Sequence, residues 1–252
     1  MALLEVSDLS VTFGGLAALT RVSLGVEAAT VCALIGPNGA GKTTLFNAIS
    51  GYVRPSTGTV RMEAHPITGL PPHSIARRGV SRTFQNGGVF GEMTVLENVL
   101  TGLHQAILNS AFGALCGLPR ARARERDATS RAQATLATMG IAPLASRRAK
   151  ELSFGQQRMV EIARALIARP RLLLLDEPAV GLSAGEREAL VHVLRGLASE
   201  GMAVLLVEHV IDLVMAVSDR IFVLNHGEIL ASGRPDVIRT DPTVLDAYLG
   251  AA

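Results

Sequence analysis

Three segments of this chain carry residue types, at spacings, that suit the handling of a phosphate chain and a divalent cation. Gly36-Pro37-Asn38-Gly39-Ala40-Gly41-Lys42-Thr43, followed by Thr44, fits the pattern GxxxxGK[ST]. Glycines let successive backbone N–H groups curl around phosphate oxygens, and a helix opening at the end of such a loop adds partial positive charge. Lys42 is placed to reach the β- and γ-phosphates, and the Thr43 hydroxyl to ligate Mg²⁺. In Leu172-Leu173-Leu174-Leu175-Asp176-Glu177-Pro178 an apolar run ends in an acidic pair. Asp176 is expected to hold Mg²⁺, directly or through water, and Glu177 to orient and deprotonate an attacking water. The plainer alternatives are a chance glycine turn for the first segment and two exposed carboxylates capping a following helix for the second. In Leu152-Ser153-Phe154-Gly155-Gln156-Gln157, Ser153 and Gly155 can donate hydrogen bonds to a phosphate at the head of a helix. Lys42 and Thr43 already surround the phosphates of their own site. A second phosphate-binding helix head in one chain points to two chains enclosing a nucleotide head to tail.

The elements that must position these residues are legible in outline. Val6 to Phe13 and Arg21 to Val26 read as short strands with Gly14-Gly15 as punctuation, and Thr30 to Ile35 as a buried strand leading into the glycine loop. A helix is expected over Thr44 to Ser50, a strand over Gly58 to Met62, a proline-headed helix over Pro71 to Arg78 and a strand over Val80 to Phe84. From about Thr94 to Ala168 the pattern is helical. The α/β alternation resumes after Arg169-Pro170: strands at Arg171 to Leu175 and Ala203 to Val207, helices at Glu186 to Ser199 and Val210 to Val217. A strand pair follows across Asn225-His226-Gly227, then short helices to Leu249. The expected fold is a mixed α/β core with an inserted helical lobe.

Bulk properties narrow the function classes. The 252 residues suffice for a substantial core, and 48% hydrophobic against 18% charged residues exclude a disordered chain. A formal net charge of +2 gives no argument for nucleic acid. Cys32 and Cys116 form no metal-binding or disulfide pattern, and Cys32, in the apolar run Val31 to Ile35, is expected to be buried filler. No apolar run approaches the roughly 20 residues that span a bilayer, and the first residues do not resemble a secretion signal. The arginine-rich Pro119 to Arg131 reads as a solvated helix face, with contact to a partner subunit or membrane surface as the alternative.

Taken together, the segments resemble those of ATP-binding cassette (ABC) ATPases: the glycine loop is like their Walker A motif, Leu172 to Glu177 like Walker B, and Leu152 to Gln157 like their signature motif. The resemblance covers essentially the whole chain. It implies a P-loop ATPase core with a short antiparallel β subdomain over residues 1–85 and 169–252, and an inserted helical subdomain over 86–168. It further implies that Gln85 senses Mg²⁺ and the γ-phosphate, that His209 is the switch histidine contacting that phosphate, and that Phe13 stacks on adenine, a core aromatic being the rival reading. Ser153, Gly155 and Gln156 would contact ATP held by a second ATPase subunit, a paralogue or another copy. Phe13-Gly14-Gly15-Leu16, Ile75 to Asn86, Met93 to Val99 and Tyr248-Leu249-Gly250 are similar to the larger ATPase of branched-chain amino acid importers. That resemblance implies two membrane permease subunits, an extracytoplasmic binding protein, a place on the inner face of the cell membrane, and no nucleic-acid partner. Urea, amide or polar amino acid uptake, export, or a soluble ABC ATPase acting on the ribosome or DNA are the alternatives. Two departures stand out. Phe154 replaces the usual second glycine of the signature, which is typical of this branch, and Ser183 stands where many ABC ATPases carry the aspartate of the D-loop.

Overall fold

The computed structural model describes residues 2–83, 88–103 and 119–249. Chain order begins β1 (Leu4–Phe13), β2 (Leu16–Val26), β3 (Val31–Ile35), α1 (Lys42–Ile49), β4 (Thr57–Met62), β5 (His65–Pro66), α2 (Pro72–Ala76) and β6 (Val80–Arg82). The helices α3 (Val95–Leu100), α4 (Pro119–Thr138) and α5 (Phe154–Leu166) follow. The chain then runs through β7 (Leu172–Asp176), α6 (Ala184–Ser199), β8 (Ala203–Val207), α7 (Ile211–Val217), β9 (Arg220–Asn225), β10 (Glu228–Gly233), α8 (Pro235–Ile238) and α9 (Pro242–Leu249). It divides into two compact units, Met1–Arg82 with Arg171–Val180 and Arg187–Ala252, and Thr83–Pro170 with Gly181–Glu186.

The first unit holds two sheets. A six-stranded sheet runs β10-β9-β3-β8-β7-β6, parallel from β9 to β6, with β10 antiparallel at its edge; a four-stranded antiparallel sheet runs β2-β1-β4-β5. Every residue of β3, β7 and β8 is buried, which is why these strands are unbroken apolar runs without alternation. Because β3, β7 and β8 are parallel neighbours, their carboxyl ends share one edge, with Asp176 the last residue of β7 and Gly36 and Glu208 directly following β3 and β8. Cys32 is buried in β3, as expected, and desolvation pushes its thiol up to about 11.

Several elements differ from the sequence reading. β1 and β2 are one long hairpin that closes at Phe13 opposite Leu16, around Gly14 and Gly15, both at positive φ. Leu16 to Thr20 lack strand-like alternation because Leu16 and Ala17 are both exposed. α1 opens at Lys42, two residues before the expected Thr44, since Gly41 in the left-handed region is its N-cap. β6 ends at Arg82, and Phe84 lies outside the described residues.

The second unit packs α3, α4 and α5. The continuous helical reading is interrupted at residues 139–153, where Gly140 turns at positive φ and two 3₁₀ turns, Ala142–Leu144 and Ala149–Glu151, carry the chain. Residues 123–127 of the arginine-rich stretch are exposed, and burial begins at Ala132, Leu136 and Met139. Asn98 is fully buried: it accepts the Phe90 N–H and donates to the Phe90 and Thr94 carbonyls, pinning the chain ahead of α3. Cys116 lies outside the described residues.

Candidate functional site

In the first unit, the glycine loop leaves β3 and enters α1 with no acidic residue in the helix's first turn, so no side chain of the helix itself offsets the partial positive charge of its N-terminus. Gly36 has φ 153°, and a Cβ there would lie 2.0 Å from the Leu224 carbonyl oxygen, so only glycine lets β3 turn so close to β9. The turn at Gly227 braces the loop from outside: its N–H donates to the Ala40 carbonyl at 3.0 Å. Lys42 is buried, and its Nζ donates to the Gly36 and Pro37 carbonyls at 2.7 and 2.9 Å. Burial holds the Lys42 ammonium below its usual pKa range, with Glu177 and Asp176 opposing that shift.

Asn38, Lys42, Thr43, Thr44, Glu177 and His209 line one cleft of about 440 Å³. Glu177 follows the end of β7 at φ 48°, a left-handed conformation that costs a β-carbon residue free energy and must be held by its surroundings. Its N–H donates to the Val207 carbonyl at 2.9 Å, and its Oε1 lies 3.1 Å from His209 Nε2. The arrangement places a carboxylate beside the glycine loop with an imidazole within hydrogen-bond distance of it. Phe13 is 51% exposed, which excludes the core-aromatic reading, and its register partner Leu16 lines the cleft.

Asp176 is 4% exposed and pairs with Arg82, whose Nη2 donates to Asp176 Oδ2 at 3.0 Å. Arg82 Nη1 also donates to Asn47 Oδ1 and Ser50 Oγ on the helix that follows the glycine loop, both at 2.8 Å. Its guanidinium lies 5.5 Å from the Phe46 ring centroid. One arginine thus ties β6, the end of β7 and α1 together. The hard-oxygen set of the Thr43 hydroxyl and the Asp176 carboxylate suits Mg²⁺, which keeps several waters and takes its other ligands from substrate phosphates.

Sequence reasoning missed Arg82 and Glu208. Glu208 is fully buried; its Oε1 accepts the Ala179 N–H at 2.6 Å, and its Oε2 accepts the N–H groups of His209 and Val210 at 2.8 and 3.2 Å. It fastens the turn after Glu177 to the segment bearing His209. A carboxylate directly following a wholly apolar strand was the available signal for Glu208; nothing local marks Arg82.

The second unit carries the other predicted ligands. Ser153 caps α5: its Oγ accepts the Gln156 N–H, and Gln156 Oε1 accepts the Ser153 N–H, both at 3.2 Å. The pattern S-x-x-Q announces this capping box. Phe154 is 62% exposed, and its ring lies on Gly181, where a Cβ would meet ring carbons at 2.6 Å. Ser183 caps α6, receiving the Glu186 N–H at 3.3 Å. The structure therefore gathers Lys42, Thr43, Glu177 and His209 at one cleft, while Asp176 is the buried last residue of β7 and is not part of that lining. Ser153, Gly155 and Gln156 sit at the α5 head, and Gln85 lies outside the described residues.

The family described as "ABC transporter" matches residues 19–180, and the one described as "Branched-chain amino acid ATP-binding cassette transporter" matches residues 228–252. The high-affinity branched-chain amino acid transport ATP-binding protein BraF of Pseudomonas aeruginosa is 47% identical over 99% of this chain and 98% of its own length. LivG of Escherichia coli, of the same description, is 43% identical over the same shares. A nucleotide-free ATP-binding cassette from an ABC transporter superposes with a TM-score of 0.86 at 33% identity, covering 98% of this chain and 99% of its own. A cassette solved in its ADP conformation gives 0.85 at 32% identity over 99% of both chains. On the glycine loop, the acidic strand end and this similarity across its full length, the chain belongs to the ABC transporter family, as one of its ATP-hydrolysing ATP-binding cassettes.

Proposed function

We propose that this cassette powers an importer of branched-chain or other hydrophobic amino acids, and that it hydrolyses ATP with Glu177 as general base. The observation that carries the chemistry is the Glu177 carboxylate held 3.1 Å from His209 in the cleft of the phosphate loop. ATP lies with its phosphates along residues 36–44, Lys42 on the β- and γ-phosphates and Phe13 against the adenine. Glu177 takes a proton from water as the water oxygen bonds the γ-phosphorus and the bond to the ADP oxygen breaks. His209 orients Glu177 and contacts the γ-phosphate, and Gln85 senses it. Thr43, Asp176 and Gln85 would hold Mg²⁺, which would supply neutralisation of charge on the phosphate oxygens. With one carboxylate oxygen engaged by Arg82, Asp176 is suited to hold the ion through its water shell.

Ser153, Gly155 and Gln156 complete the ATP site of a second ATPase subunit, so two chains close head to tail on ATP and reopen after hydrolysis. The helical unit transmits that movement to two permease subunits, and a binding protein delivers the substrate. No described helix is long and apolar enough to cross a membrane, so the chain docks on the cytoplasmic face through those subunits. The names of the relatives and the match at residues 228–252 support the branched-chain substrate.

The test is to isolate the chain with its co-purifying membrane and binding subunits in vesicles and measure ATP hydrolysis and uptake. Leucine, isoleucine or valine should stimulate both. Stimulation by urea, amides or polar amino acids alone would assign the transporter to another substrate, and ATP-driven movement of substrate away from the side that holds the cassette would make it an exporter.

A further inference from the structure

The cleft that holds Lys42, Glu177 and His209 is also lined by His226, an exposed residue. His226 and Gly227 form the two-residue turn between β9 and β10, closed by the pairing of Asn225 with Glu228, and both have positive φ, 44° and 80°. That is the type I′ arrangement, whose first central position favours asparagine, aspartate or glycine. Turn geometry therefore does not call for an imidazole, and the ring stands in the nucleotide cleft. The turn is fixed at that place. Gly227 donates its N–H to the Ala40 carbonyl of the glycine loop at 3.0 Å and accepts the Thr20 N–H at 2.8 Å. A Cβ on Gly227 would lie 2.8 Å from the Ala18 carbonyl oxygen, so the turn is pressed against the backbone of β2. Sheet order then sets which part of a nucleotide the ring meets. The glycine loop leaves β3, which lies between β9 on one side and β8 and β7 on the other. Glu177 and His209 follow β7 and β8, so the γ-phosphate belongs to their side. His226 follows β9 on the opposite side, where Leu16 and Ala18 of β2 also line the cleft and Leu16 pairs in register with Phe13.

We propose that His226 donates a ring N–H to the ribose–α-phosphate end of the bound nucleotide, to an oxygen acceptor that ATP and ADP share. The inference rests on the placement of adenine at Phe13 given above. An imidazole carries one N–H in either neutral tautomer and two when charged, so a donor is present in every protonation state. The acceptor is the same before and after the bond to the γ-phosphorus breaks. The contact therefore strengthens the binding of substrate and product alike and does not bear on the chemical step. It holds the nucleoside end of the nucleotide while Glu177 and His209 act at the other end, and it divides the two imidazoles of the cleft between binding and turnover.

The experiment uses the full-length chain. His226→Gly and His226→Asn suit a type I′ turn at least as well as histidine does, so both should melt no lower than the parent while losing the ring. Calorimetric titration in a Glu177→Gln background, where ATP survives, should show ATP and ADP each bound about fivefold more weakly by both variants, the scale of one hydrogen bond. In the wild-type background KM for ATP should rise in the same proportion while kcat moves little. Titration with 2′,3′-dideoxy-ATP locates the acceptor: a loss that persists places it on the α-phosphate, and a loss that vanishes places it on the ribose. Unchanged affinity for ATP and ADP in both variants overturns the inference. So does a loss for ATP alone, which would put the ring at the γ-phosphate, and so does a loss accompanied by a lower Tm in both variants, which would make the ring a support of the turn. Phe13→Ala separates the inference from the reading beneath it. Undiminished ATP affinity in that variant overturns the adenine placement and this inference with it, whereas weakened binding there beside unchanged binding in the His226 variants overturns this inference alone.

Discussion

Replacing Arg82 by methionine tests whether the arginine is the brace of the catalytic strand end. Both side chains of the Arg82–Asp176 pair are 6% exposed. Removing the arginine takes the ion-pair partner from the buried Asp176 carboxylate, a change that costs about 3 kcal/mol, the low end for a broken buried pair because the Lys42 charge still acts on Asp176. Asn47 and Ser50 lose donors held at 2.8 Å, which adds roughly 1 kcal/mol if both re-bond to water poorly. Methionine retains much of the packing against Phe46, so the cavity cost is small. A total near 4 kcal/mol, in a chain of this size, lowers Tm by about 8 °C. The double variant Arg82→Met, Asp176→Asn should recover about half of that loss, because the buried acceptor no longer carries charge. Calorimetry on the four proteins of the cycle gives the coupling directly. A loss under about 2 °C for Arg82→Met, or a double variant no more stable than the single, refutes the brace. A second substitution sharpens the test: Arg82→Lys restores charge but not the fork reaching Asp176, Asn47 and Ser50 at once, so it should rescue only part of the stability.

Three further outcomes follow from the same geometry. Glu177→Gln should bind ATP normally and hydrolyse it 10²- to 10⁴-fold more slowly, the usual reach of general-base catalysis; normal steady-state phosphate release in this variant removes Glu177 from the role. Glu208→Ala strips three backbone N–H groups of their buried acceptor and should cost about 3 kcal/mol in urea unfolding, with kcat falling more than KM because Glu177 and His209 lose register; an unchanged kcat with lowered stability would make Glu208 purely structural. The Cys32 thiol, raised from 9.0 to about 11 in the folded chain, keeps its proton where the unfolded chain loses it. Stability from this group is therefore full below pH 9 and falls as pH rises from 9 towards 11, by about 2 kcal/mol. Urea midpoints of wild type and Cys32→Ala should converge over that range, and parallel curves would refute the assignment.

The parallel strands and the glycine loop were legible because each is dictated locally: an unbroken apolar run admits few structures other than a strand covered on both faces, and GxxxxGK[ST] after such a run has one geometry. Glu177 and His209 were legible as strand-end residues, and the cleft brings them together. The hairpin's second strand was underestimated because Leu16 and Ala17 are exposed at its open end, where burial imposes no alternation. Residues 139–153 read as helix because the sequence lacks β-branched runs there, while the actual path is set by tertiary pins such as the Thr94–Arg148 bridge. Arg82 was illegible for a different reason. Its three acceptors, Asn47, Ser50 and Asp176, are up to 94 positions away, and an arginine in a three-residue strand looks like any edge-strand charge until the sheet order puts β6 beside β7.

That contrast separates two kinds of residue in the site. Lys42, Thr43, Asp176 and Glu177 lie in motifs because they address a ligand with fixed geometry, so their spacing must match phosphates and water. Arg82, Glu208 and Glu186 address the protein itself: each satisfies a charge or backbone group left by a motif residue, and its position depends only on which element happens to pack there. Arg82 neutralises a carboxylate that β7 buries, Glu208 accepts the N–H groups exposed where the chain turns around Glu177 and His209, and Glu186 accepts the N–H and hydroxyl of Ser183 at the head of α6. The functional carboxylates are thus held by partners outside the motifs, with separable consequences. Loss of Arg82 should register first as stability and loss of Glu208 as turnover. Two variants showing one common defect instead would mean that both residues support the fold alone.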